Sequence, residues 1–315
     1  MKTLFKLYRI YNPSKGERNI SGFVQNELDK MRIKYNVLRD GTIYSLTPST
    51  PLICAHLDSV QRRPVTTIKK HKSLIYANGC MGADDKNGIW ACLQILKYCK
   101  NISFIFSVQE EVGGNIAPLL NKYDYIMDKL KYGLVFDRCN GSDIICNANL
   151  YGSKRFEKQL AGIGKAYGYK PAGGVWSDAD AISEYVSCAN LSVGYYNHHT
   201  DIEYTLFNEL VNAVKFGLAI IKKTKKRYSP APVTTTVWKR SKYADLAYLD
   251  SPKSYRSDVP GHRKDYRRGN PDYLWVCVDC DRYFKDSALS HWEYCPFCGG
   301  FLVDEYYTPR NKGGL

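Results

Sequence analysis

The chain has 315 residues, 44% of them hydrophobic and 24% charged, with a formal net charge of +14; that balance fits globular folding and excludes a chain too polar to bury a core. Its length suits one sizeable domain plus a small module, or two medium domains. No apolar run approaches the roughly 20 residues of a membrane helix, and seven of the eleven cysteines (Cys54, Cys80, Cys92, Cys99, Cys139, Cys146 and Cys188) are scattered through apolar segments, as reduced buried thiols are.

In chain order, MKTLFKLYRIY opens like a secretory leader, but Lys6 and Arg9 break the apolar core a leader needs. It reads as an amphipathic first helix over 2–11 of a protein that stays in the cytoplasm. A second helix is predicted over 18–31, where Ile20, Phe23, Val24 and Leu28 recur at helical spacing. KYNVLRD, TIYSL and PLICAHL are short strands. GADDKNG (82–88) leads into a helix that runs to about Lys100 and is apolar nearly all round, so it should be buried on several sides. NISFIFSV (101–108) is a strand, followed by EEVGG and a helix from about Asn115. YGLVFDR and SDIICN are strands, SKRFEKQLAGIGKAYGY a helix, ANLSVGYY a strand, and TLFNELVNAVKFGLAIIKK a long closing helix. Such alternation predicts an α/β three-layer sandwich around a mixed, largely parallel central sheet, with chemistry gathered at the carboxyl ends of the strands.

Those strand ends are rich in metal-binding side chains. PLICA ends in His56-Leu57-Asp58, the buried helix is entered through Asp84-Asp85, and SFIFSV ends in Glu110-Glu111. GLVF ends in Asp137, and NLSVGYY leads to His198-His199. Each has an ordinary explanation alone: acids cap helices, and loop histidines are common. GADDKNG is no calcium loop, because Ala83 stands where the first acidic ligand belongs and Gln94 where the closing glutamate belongs. Five such coincidences along one edge of one sheet favour a divalent-metal site instead, since mixed imidazole and carboxylate donors suit a zinc-like ion, with one carboxylate able to bridge two.

The motifs AHLD, GADDKNG, QEEVGG, VFDR and HHTDIE stand in the order found in the co-catalytic di-zinc exopeptidases and their deacylase relatives. Over residues 1–225 the chain resembles that family, which includes peptidase T, the secreted bacterial leucine aminopeptidases and the glutamyl aminopeptidases. The resemblance implies that His56 and Asp137 hold one ion, Glu111 and His199 the second, and Asp84 bridges both. It assigns Glu110 as general base and Asp58 as the acid orienting the His56 ring, prefers His199 to His198, and implies a cis peptide between Asp84 and Asp85. The implied ions are two catalytic zincs, or other divalent ions such as cobalt or manganese. They lower the pKa of a bound water, whose proton Glu110 takes and returns to the leaving amine.

Only 27 residues separate His56 from Asp84, and 61 separate Asp137 from His199. The first gap is too short for an inserted domain and the second is filled by predicted strands and helices, since domains rarely run below about 50 residues. The expected catalytic domain, 1–225, therefore lacks the lid of peptidase T. Within WSDADAIS, Asp178 and Asp180 are weak candidates to meet a substrate amine, with a helix cap as the alternative.

Beyond this domain, residues 222–268 hold fourteen Lys and Arg against four Asp, amid Pro, Ser and Tyr. The stretch reads as a basic linker or arm (226–270), with nucleic acid or another polyanion as candidate partner and a solvated linker as the alternative. Cys277-x-x-Cys280 and Cys295-x-x-Cys298, fourteen residues apart, predict a four-cysteine structural zinc in a ribbon or rubredoxin-like knuckle over 271–308. Three functions follow. The first is a zinc-dependent aminopeptidase acting on peptides. The others are an amidohydrolase or deacylase of small amides, and a nucleic-acid- or protein-binding adaptor with an inactive peptidase core. The intact set of ligands, base and orienting acid argues against the adaptor.

Overall fold

The computed structural model describes residues 1–114, 116–146, 151–174 and 177–230, and further on the backbone of three strands. By internal contacts the chain divides into two compact units, Met1–Ser254 and Tyr255–Leu315.

The first unit begins with α1 (Lys2–Tyr8) and α2 (Arg18–Lys30), which bury Leu4, Leu7 and Tyr8, then Ile20, Val24 and Leu28. Strands β1 (Asn36–Val37), β2 (Ile43–Ser45) and β3 (Leu52–His56) follow, then the hairpin β4 (Ile68–His71) and β5 (Leu74–Ala77). Helix α3 (Ala83–Tyr98) leads to β6 (Ser103–Ser107), two short helices α4 (Ala117–Lys122) and α5 (Asp124–Met127), and strands β7 (Gly133–Arg138) and β8 (Asp143–Ile145). The unit continues through α6 (Lys154–Gly164), β9 (Lys170–Pro171), α7 (Ala179–Ile182), β10 (Cys188–Ser192), β11 (Tyr195–Tyr196), β12 (Tyr204–Leu206) and α8 (Phe207–Lys223).

Eight strands form one sheet in the order β1-β2-β6-β3-β7-β10-β8-β9. The central run β6-β3-β7-β10 is parallel throughout, and its strands LICAH, SFIFS and CANLS are buried at every position. A parallel sheet covered on both faces demands such unbroken apolar strands. On one face α3 lies across β3 and β7, with α1 and α8 against it and α6 against α8; on the other, α7 packs on β7 and β10 beside α4. Two apolar cores separate these layers, giving the three-layer sandwich. The closeness of α3 to the sheet explains Gly88, where a Cβ would overlap the Phe136 carbonyl oxygen of β7.

One feature is not legible in the sequence. A second, four-stranded antiparallel sheet, β11-β12-β5-β4, stands apart from the first. Its strands are two to four residues long, and β4 reads IKKH with no fully buried position, too short and too polar to show a period-two signal. The predicted helix after EEVGG is split into α4 and α5, and the α6 helix ends in a single 3-10 turn over Lys165–Tyr167.

In the second unit, strands Leu274–Cys277, Tyr283–Lys285 and Leu302–Asp304 form a three-stranded antiparallel sheet with the first in the centre. Cys277 ends the central strand; Cys280, Cys295 and Cys298, like residues 231–270 of the basic arm, lie outside the described residues.

Candidate metal centre

Three parallel strands of the large sheet, the start of α3 and the small sheet bring the predicted side chains to one place. His56 is the last residue of β3, Asp137 lies at the end of β7, and Glu110 and Glu111 follow β6 in a single 3-10 turn. His199 sits in the connection between β11 and β12 of the small sheet. Asp84 and Asp85 stand at the start of α3 with non-helical backbone angles, joined by a cis peptide bond.

Asp84 stands between two histidines. Its Oδ1 is 3.2 Å from His56 Nε2 and its Oδ2 is 3.2 Å from His199 Nε2. His56 Nε2 also lies 3.4 Å from Asp137 Oδ1, and His199 Nε2 3.0 Å from Glu111 Oε2. Two donors held about 2.1 Å from one zinc at a tetrahedral angle are separated by about 3.4 Å. The nitrogen–oxygen spacings of both halves therefore match the edges of a zinc tetrahedron. His56, Asp84 and Asp137 offer ligand atoms within 4.8 Å of one another, and so do Asp84, His198 and His199. His198, set aside in favour of His199 from the sequence, is thus a further donor beside the second half. Glu110 reaches only to 4.0 Å of His56 Nε2.

The electrostatics point the same way. Six carboxylates (Asp58, Asp84, Asp85, Glu110, Glu111 and Asp137) share this region with two imidazoles. Burial, reinforced by neighbouring acids, pushes Asp85 and Glu110 well above the usual carboxylate range and Asp137 up to about 7. Glu111 is likewise raised by burial and by Asp84. Burial works to lower the His199 pKa, yet Glu111 and Asp84 raise it to about 11, and Asp137, Asp58 and Asp84 likewise hold His56 well above its usual value. Acids this crowded and dry call for more positive charge than these two histidines supply, which divalent ions would provide. Donor types, spacing and charge all fit two such ions.

Surrounding groups fix the donors. Asp58 is fully buried and faces His56 Nδ1 at 3.3 Å, off-line for a hydrogen bond but within ion-pair range. Asp85 accepts from the His56 and Gly88 backbone N–H groups at 3.1 and 2.9 Å. Gln109 and His199 adopt left-handed backbone angles, φ 61° and 63°, which turn the chain sharply where the glutamates and the second histidine must be aimed inward. Such angles in non-glycine residues cost about 1–3 kcal/mol and cluster at working sites.

Several contributors were not legible as site residues. Glu203 accepts the Asp84 backbone N–H at 3.3 Å and is driven up to about 7 by burial; its only sequence signal is its place at the end of HHTDIE. Lys86 is wholly buried and donates to the Ile10 and Met81 carbonyls and to Gln61 Oε1 at 2.7–2.8 Å, and burial lowers it to about 7. Asp178 is buried and accepts from Ser107 and Cys54, while Asp180 is exposed on α7.

No protein family and no curated protein matches this sequence. Solved structures do match the fold. Aminopeptidase PepT from Bacillus cereus superposes with a TM-score of 0.59 at 16% identity, over 71% of this chain and 98% of that one. A tripeptidase from Staphylococcus aureus gives 0.58 at 16% identity over 71% and 97%. The TET1 peptidase of Pyrococcus horikoshii, which assembles into a tetrahedron or an octahedral shell, gives 0.52 at 16% identity over 70% and 98%. The chain shares the fold of these peptidases.

Proposed function

We propose that the protein is a di-zinc hydrolase cleaving amide bonds, an aminopeptidase acting on peptides. The observation that carries the reading is the position of Asp84, with one carboxylate oxygen on each of two histidines that come from different sheets. In this reading His56 and Asp137 hold one ion, Glu111 and His199 the other, and Asp84 joins them. When bound, the ions acidify water and polarise the scissile carbonyl.

The chain's own residues supply the rest. Glu110 approaches His56 Nε2 less closely than Asp84 and Asp137 do, which leaves its carboxylate to accept the proton of the attacking water and pass it to the departing amine. Asp58 keeps the His56 ring oriented, so that Nε2 faces the centre. Asp178, engaged with Ser107 and Cys54, supports the neighbouring strand ends, which favours a structural role over amine binding. The neighbours' names, an aminopeptidase, a tripeptidase and a TET1 peptidase, support peptides as substrates. The layout of a catalytic domain over 1–225, a basic arm over 226–270 and a four-cysteine zinc ribbon over 271–308 belongs to the same proposal.

The test is a Glu110→Gln variant, assayed for metal content and for hydrolysis of aminoacyl amides beside N-acyl amino acids. About three zincs per chain, turnover of aminoacyl amides by the wild type and none by the variant are expected. Full activity in Glu110→Gln would remove the base assignment, and turnover of N-acyl amino acids alone would make the enzyme a deacylase.

A further inference from the structure

The first seventeen residues supply none of the proposed metal ligands, yet they touch three of the loops that do. Tyr8 Oη donates to Asn87 Oδ1 at 2.6 Å, and the Ile10 carbonyl accepts from Lys86 Nζ at 2.7 Å, both just past Asp84. Asn12 Nδ2 donates to the Leu57 carbonyl at 2.5 Å, and the Ser59 N–H donates to the Asn12 carbonyl at 3.0 Å. Pro13 and Ser59 form a parallel bridge. Glu17 Oε1 accepts the Gln109 N–H at 3.2 Å, next to Glu110. The segment is a strap laced under three site loops.

Its contact with Asp58 bears on the chemistry. An ionised carboxylate offers about four lone-pair positions. Asp58 Oδ1 accepts the Glu110 N–H at 2.9 Å and faces His56 Nδ1 at 3.3 Å. Its Oδ2 accepts the Glu111 N–H at 3.2 Å and the Ser14 hydroxyl at 2.7 Å. Three of the four partners belong to the centre itself; the fourth, Ser14, comes from the strap. Without it, a carboxylate with no solvent exposure keeps an unmet acceptor, and relieving that deficit means turning the group away from His56.

We propose that Ser14 is a positioning residue of the metal centre: its hydroxyl completes the hydrogen bonding of Asp58 and so holds the His56 ring for the ion shared with Asp137. The proposal rests on the two-ion reading above. Nothing in the sequence around Ser14 signals the role, because the contact spans 44 positions of chain.

The experiment uses the full chain as wild type, Ser14→Ala and Ser14→Thr. Each is stripped of metal and titrated with zinc against a colorimetric chelator, then with cobalt, whose visible bands report the ligand field; thiolate absorption marks ions held by cysteine. Outer partners of this kind are worth about 10- to 100-fold in metal affinity. Ser14→Ala should weaken the His56-side ion at least tenfold, alter its cobalt bands and leave the second ion unchanged, and Ser14→Thr should restore the wild type. Wild-type affinity in Ser14→Ala, equal loss of both ions, or a loss that threonine does not restore would overturn the role of Ser14 alone. A wild type that binds only cysteine-held zinc would remove the two-ion reading and this proposal together.

Discussion

The two halves of the proposed metal centre are built differently. His56 and Asp137 stand at the ends of adjacent parallel strands, β3 and β7, in the middle of the large sheet. His56 is 1% exposed and backed by Asp58 and the Asp85 carboxylate. Glu111 and His199 stand in turns, beside or upon left-handed backbone, and His199 belongs to a sheet of short strands. Neither ring's Nδ1 has a hydrogen-bond partner among the described residues, but that of His56 faces the Asp58 carboxylate at 3.3 Å. Strand ends fix position through the sheet's own ladder; turns fix it only through local contacts. The strand-borne half should be stiff and bind its ion tightly, and the turn-borne half should be the adaptable, weaker one.

Asp84 belongs to both halves, so Asp84→Ala should have the largest effect: loss of both ions and of turnover, read by metal analysis. Retention of either ion at wild-type affinity would break the bridge. Glu110→Gln comes next. It should keep both ions and lose about 10²–10⁴-fold in kcat, the range of general acid–base catalysis.

The comparison itself is sharpened by His56→Ala against His199→Ala. The first should lose the tight ion and the second the weak one, with two distinct affinities resolved by titration; equal losses would mean the halves are not unequal after all. Removing the ions with a chelator should lower the melting temperature, because a ligand present at 100 times its Kd stabilises by about 2.7 kcal/mol. Hydrogen exchange should then rise more in the β11–β12 turn than at the ends of β3 and β7.

Gly88→Ala forces a methyl group against the Phe136 carbonyl on the strand-borne side. Such overpacking costs about 1–3 kcal/mol, and in the stiff half it should also weaken the His56-side ion. The smallest effect is expected from Arg63→Ala, which removes an exposed ion pair to Asp201 at 3.7 Å near the small sheet. Surface pairs contribute about 0–1 kcal/mol, so neither melting nor metal binding should shift measurably.

The same contrast governs what the sequence discloses. His56, Asp137 and the two glutamates are legible because long apolar strands announce themselves and the next polar residue falls at the sheet edge. Asp84 is legible because its helix is apolar all round. The small sheet is not, because strands of two to four residues carry no period. Glu203, Lys86 and Ser14 act through contacts 119, 76 and 44 positions away, and no local pattern reports such distances. The cis bond at Asp84–Asp85 was expected only through the family resemblance, and it is present.

The wide spacing of the donors along the chain also sets when the centre can first exist. The proposed donors fall at positions 56, 84, 111, 137 and 199, and the turn that holds His199 closes only when β12 pairs with β11. Synthesis proceeds from the N-terminus, and contacts of high sequence separation close late. While the growing chain is shorter than about 206 residues, His56, Asp84 and Asp137 can form one half of the proposed centre, but the second half must wait. On the proposed reading, the nascent protein is thereby kept from cleaving peptides until the fold is nearly whole.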